Sequence, residues 1–205
     1  MNSAIADIVG SYFSSQPWCD KIGGLAKIVT IFDRDQNNNP TIKRFPVSCN
    51  TSLDECKQGR YSDLVPNSKL RSLFYFEDGG NTLQKRYAES FEFVARLKLV
   101  GWINLSMFKL QERQCTLSDR MVAQILKAMP DNYINTGIFT QMKIKFIGED
   151  AKTPAIFSRY TYSEEQTQYL LFPYDYFAIN FNVEYVVHRA CFDDIEIQTT
   201  DECLT

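Results

Sequence analysis

The sequence predicts an α+β fold: a central, mostly antiparallel sheet flanked by two helices, with long inserted loops. Three observations predict it. Residues 91–99 alternate Phe91, Phe93, Ala95, Leu97 and Leu99 with Glu92, Arg96 and Lys98, as a half-buried antiparallel strand requires. Residues 4–13 and 121–129 instead space their apolar residues by three and four, as amphipathic helices do. Helices and strands follow one another with no strict β-α-β alternation and no internal repeat, which argues against a doubly wound parallel sheet or a solenoid. At 205 residues and 44% hydrophobic content, the chain reads as one domain spanning 1–205.

The first helix carries Ala4, Ile5, Ile8, Val9, Tyr12 and Phe13 on its apolar side, with Asn2 or Ser3 available as N-cap and Pro17 closing the region. Leu25 to Asp33 reads as a strand, the tract DRDQNNNP as a turn, and Thr41 to Cys49 as the strand that completes a hairpin. The polar stretch 50–69, with Gly59 and Pro66, reads as a loop and as the candidate for a protruding arm. Leu70 to Glu77 is strand-like, and EDGGNT after it carries a turn signal. The alternating strand follows. Thr116 or Ser118 can then cap a second helix, whose stripe of Met121, Val122, Ile125, Leu126 and Met129 ends before Pro130.

Two further strands close the chain. Met142, Ile144 and Phe146 alternate with Gln141, Lys143 and Lys145, and Phe177, Ile179, Phe181, Val183, Tyr185 and Val187 alternate with Asn180, Asn182, Glu184 and His188 within 176–192. The final stretch from Asp193 is acidic and is expected to fray or to dock on a neighbour.

Composition removes several function classes. With 22 Lys and Arg against 25 Asp and Glu, the net charge of −3 lacks the basic excess of a nucleic-acid-wrapping protein. No long apolar run or basic leader indicates a membrane span or signal peptide. Cys19, Cys49, Cys56, Cys115, Cys191 and Cys203 are dispersed, which suits free thiols rather than a disulfide framework or a zinc site. No GxxxxGK[ST] or GxGxxG pattern is present, and Gly23-Gly24 and Gly79-Gly80 fit turns. The carboxylate pairs Glu149-Asp150, Glu164-Glu165 and Asp193-Asp194 fall in loops or at ends and read as solvated charge. No catalytic residue, cofactor or metal ligand is assigned.

Aromatic residues are the remaining signal. The segment YTYSEEQTQYLLFPYDYF, 160–177, gathers Tyr and Phe around Pro173, which interrupts any central strand. Core burial and subunit contact are equally good uses of such rings. The candidate interface residues are Phe74, Phe76, Tyr160, Tyr162, Tyr169, Phe172, Tyr174 and Tyr176.

The order of elements resembles that of the small connector and tail-terminator proteins of tailed bacteriophages. The segments LFYFEDGGNT, FEFVARLKLVGWINLSMF and FPYDYFAINFNVEYVV are similar in style to structural genes of phages of Bacteroides-type bacteria, including the crAss-like group. This resemblance implies a homo-oligomeric ring in the head-tail connector or tail. Such a ring contacts itself and other virion proteins, such as portal, adaptor, tail-tube or tail-fibre proteins, while DNA passes transiently through its channel. It also implies assembly in the bacterial host cytoplasm and residence in the virion, with no membrane partner. Loop 50–69, turn 77–87 and the acidic end are the expected contact elements. Two other readings stand beside it: a small cytosolic enzyme using Cys115 or Cys191 with His188, and an accessory module binding a peptide along an exposed sheet edge.

Overall fold

The computed structural model describes residues 1–34, 38–49, 63–108, 117–136 and 138–191. Helix α1 (Asn2–Ser11) is followed by strands β1 (Lys21–Arg34), β2 (Pro40–Ser48), β3 (Ser72–Arg86) and β4 (Ser90–Asn104). Helix α2 (Leu117–Ala128), strands β5 (Ile134–Thr136) and β6 (Phe139–Glu149), the short helix α3 (Glu164–Thr167) and strand β7 (Tyr174–His188) complete the order. One seven-stranded sheet runs β2-β1-β3-β4-β7-β6-β5. The fold is therefore α+β on a central sheet. The sheet is mixed, because β1 and β3 pair in parallel while every other neighbouring pair is antiparallel. Among the described residues no helix is long and apolar enough to cross a membrane.

Helices α1 and α2 lie on one face, where Ile5, Val9, Met121, Val122 and Ile125 join Phe74, Phe76, Leu97, Leu99, Phe177 and Phe181 in a single core. The alternation predicted for 91–99 places Ala95, Leu97 and Leu99 there, each essentially without solvent access. Asn2 does not cap α1 as expected. It sits inside the helix, buried, and its Nδ2 donates to Asp78 Oδ1 at 2.8 Å, so its side chain ties the helix to β3. Ser118 likewise lies within α2, and its hydroxyl accepts from Lys152 Nζ at 2.8 Å.

The opposite face carries a second layer that the sequence reading did not assign. Residues 154–170, with two short 3₁₀ turns and α3, lay Ile156, Phe157 and Tyr160 over Leu73, Tyr75, Val100, Trp102, Tyr176 and Ala178. Leu64 joins this layer, packed so closely on the backbone that a Cβ at Gly23 would come within 2.2 Å of its Cδ2. The loop expected over 50–69 is thus packed in its described part, with Leu64 and Val65 buried, while 50–62 lie outside the described residues.

EDGGNT does not turn the chain. Strand β3 runs through it to Arg86, with its pairing to β4 shifted between Asp78 and Asn81. Gly80 has φ +88°, and a Cβ on Gly79 would stand 3.0 Å from the Arg96 carbonyl oxygen. The two glycines make a bulge, which tolerates the left-handed conformation and close approach without ending the strand. The turn comes later, where Tyr87 N–H donates to Ser90 O at 2.9 Å.

One hairpin overruns the sheet. Pairing of β1 with β3 ends at Ala26 and Glu77, after which 27–34 pair only with β2 among the described residues, whereas Asn81–Arg86 keep to β4, which itself stays paired with β7 as far as Ser90 and His188. Eight more residues of β1 extend the first hairpin by about 26 Å. Phe32 and Ile42 face each other across it and remain 83% and 50% exposed.

Candidate functional site

Beyond the second layer, the same sheet face stays open as a cleft of about 580 Å³, lined by Glu77, Arg96, Lys98, Ile147, Arg159, Asn180 and Asn182 among others. Strand parity puts these side chains there: Arg96 and Lys98 alternate with core Leu97 and Leu99, and Asn180 and Asn182 alternate with Ile179 and Phe181. Glu77 is the deepest charged group, 3% exposed. Its Oε1 accepts from Tyr160 Oη at 2.5 Å and its Oε2 from Arg159 Nη1 at 3.0 Å. Both ligands arrive from the second layer, 82 and 83 residues away in sequence.

Asp150 anchors two of the side chains that line the cleft, Lys98 and Asn180. Lys98 Nζ lies 2.8 Å from its Oδ2, and Asn180 Nδ2 donates to its Oδ1 at 2.7 Å. Lys98, seconded by Asn180, holds this carboxyl below the usual aspartate range. The 149–150 pair is therefore not simply solvated, since Asp150 is committed to the sheet. Arg96 is exposed and makes no ion pair among the described residues.

Beneath Glu77, the rings of Tyr75 and Tyr160 pack at 6.1 Å between centroids, as do those of Tyr160 and Tyr162. Burial pushes all three phenols up, so they stay protonated, and Tyr160 donates to Glu77. The hydroxyls of Tyr75 and Tyr162 are buried without a well-formed hydrogen bond. Both Glu77 oxygens are engaged and Asp150 is held by a cation, so the cleft presents fixed charges and amides.

The eight candidate interface aromatics separate by position. Phe74 and Phe76 are fully buried under the helices, and Tyr160 and Tyr176 are buried in the second layer. Tyr162, Tyr169 and Tyr174 are half-buried beside them. Phe172 projects, 77% exposed, next to exposed Leu171. Glu77, Asp150 and Arg159 escaped the sequence reading, because their association rests on contacts between distant segments.

His188 and Cys191 are close in sequence, but His188 Nδ1 accepts from Ala190 N–H at 3.2 Å and its Nε2 lies 3.9 Å from Glu89. No hydrogen bond joins His188 to a cysteine among the described residues. Cys115 lies outside them. Burial, helped by the charge of Asp20, pushes the Cys19 thiol up to about 11, while Cys191 is exposed. At pH 8 a maleimide is expected to label Cys191 first and Cys19 at least about tenfold more slowly, followed by peptide mass spectrometry. Comparable rates at the two sites would show that α1 and the following turn open readily.

Among the described residues, no group of three or more His, Cys, Asp or Glu side chains gathers as a metal site. No protein-family model matches the chain, and no curated protein matches it significantly.

Proposed function

We propose that this chain is a structural subunit of a tailed-bacteriophage particle. It forms a homo-oligomeric ring in the head-tail connector or tail and bridges neighbouring virion proteins around the DNA channel. Its work is binding, and it is assembled in the host cytoplasm and carried in the virion. The observation that supports this reading best is the overrun of the first hairpin, β1 with β2. A self-contained monomer gains nothing from strands that extend about 26 Å past their own sheet and expose large apolar side chains, whereas a ring subunit uses such arms to reach its neighbour. The order of elements and the style of the segments noted above support the same reading. The net charge of −3 suits a channel along which DNA slides without sticking.

Electron microscopy and light scattering of the purified protein test this directly. Closed rings of one stoichiometry are expected. A species that stays monomeric at high concentration and binds no other virion protein overturns the proposal.

A further inference from the structure

The two edges of the sheet are built differently. Edge strand β2 carries Pro40 and Pro46, which have no N–H to offer a neighbour, and its Arg44 carbonyl already accepts from Thr161 N–H at 2.8 Å. At the other edge, β5 pairs with β6 only at Met142 and Phe139, so 143–149 have β7 as their one strand neighbour among the described residues. This open stretch has a sided pattern. Lys143 and Lys145 point to the cleft face, and Ile144 and Phe146 to the helix face, where the Phe146 ring meets Phe181 yet stays 46% exposed.

Resting on the ring reading, we infer that residues 193–199 of a second copy add as a strand to this edge. That segment reads Asp-Asp-Ile-Glu-Ile-Gln-Thr, and its alternation is the complement of β6. Asp194 and Glu196 fall beside Lys143 and Lys145, and Ile195 and Ile197 beside Ile144 and Phe146, in one and the same register. Lys145 already pairs with Glu184, and Lys143 lies 5.2 Å from the centre of the Tyr133 ring, which Asp194 displaces as the strand docks. Residues 192–205 hold five acids and no base, a balance that favours a cationic edge.

The direction in which the chain leaves β7 argues for a strand from another copy. The chain passes Cys191 on the β4 side of β7, where Arg189 N–H donates to Glu89 O at 2.9 Å. Glu184 is the partner of Lys143, so the docking position lies four residues back along β7 and two strand spacings across. That gap is at least about 16 Å. Asp194 stands six residues beyond His188 and reaches at most about 20 Å, so a strand from the same chain would have to double back across β7 and β6 almost fully extended.

Charge exchange in the full chain tests the inference, with assembly size as readout and circular dichroism to confirm folding. Lys143→Glu/Lys145→Glu alone and Asp194→Lys/Glu196→Lys alone are each expected to raise the concentration needed for assembly at least about tenfold. Combining all four changes in one chain restores assembly, and so does mixing the two variants. Restoration in the combined chain but not in the mixture places the strand within its own chain and overturns the second-copy inference. Assembly of both variants at wild-type concentration overturns the interface while leaving the ring reading intact. A wild-type protein that never assembles removes both.

Discussion

Replacing Trp102 with alanine is expected to lower the stability of the domain by about 4 kcal/mol, the middle of the range for a buried aromatic. Trp102 has no solvent access, stacks on Tyr174 at 5.2 Å between centroids, and sends its Nε1–H to the Tyr169 carbonyl at 2.7 Å. It is thus the point at which β4 grips the second layer. Loss of the ring leaves a cavity where the sheet meets the second layer, which the closely packed neighbouring side chains fill only in part. A fall of about 10 °C in Tm follows for a domain of this size. Trp102→Phe keeps most of the burial but leaves the Tyr169 carbonyl without its donor, and about 1 to 2 kcal/mol is expected. Urea unfolding at constant m-value separates the two. Because Arg159 and Tyr160 ride on the same segment, hydrogen exchange over 154–170 should quicken in Trp102→Ala more than in Trp102→Phe. Equal protection in both variants would show that the layer is held elsewhere.

How much of this was legible in the sequence depended on whether an element faces water. Residues 91–99 were readable because one parity is buried and the other is not. From Val100 to Ile103 both parities are buried, since the second layer covers the far face, and the alternation vanishes. EDGGNT carries the residues of a turn because a bulge and a turn make the same demand, a glycine in the left-handed region, and local sequence does not say which is built. The three-residue β5 is too short to show a period. The parallel pairing of β1 with β3 follows from the path of the chain between β2 and β3, not from a residue pattern. The cleft was the least legible part. Glu77 sits in a strand that reads as an aromatic core, and only the fold reveals that Arg159 and Tyr160 meet it. The aromatic segment 160–177 was correctly noticed as dense, yet most of its rings close the second layer, leaving Leu171 and Phe172 outside.

Glu77→Ala is expected to cost about 3 kcal/mol, at the low end for breaking a buried ion pair. The carboxylate is buried, but Arg159 remains 47% exposed and water can take over part of its solvation, which keeps the loss from rising further. Tyr160 suffers more: its hydroxyl, 2.5 Å from Glu77 Oε1, would join those of Tyr75 and Tyr162 as a third buried phenol without a well-formed partner. Glu77→Gln keeps an acceptor for Tyr160 but turns an amide donor toward the donors of Arg159, and about 2 kcal/mol is expected from that clash. Arg159→Met leaves the buried carboxylate with a phenol alone, a larger loss than its surface position suggests. If the pair exists to position the second layer, Glu77→Leu with Arg159→Met should cost less than the two single changes added together, since an apolar pair removes both unmet charges, while the Tyr160 hydroxyl still lacks its acceptor. The coupling energy from that cycle, read by urea unfolding, gives the result: a value near zero would mean that Glu77 is held by Tyr160 alone and that Arg159 belongs to the open cleft.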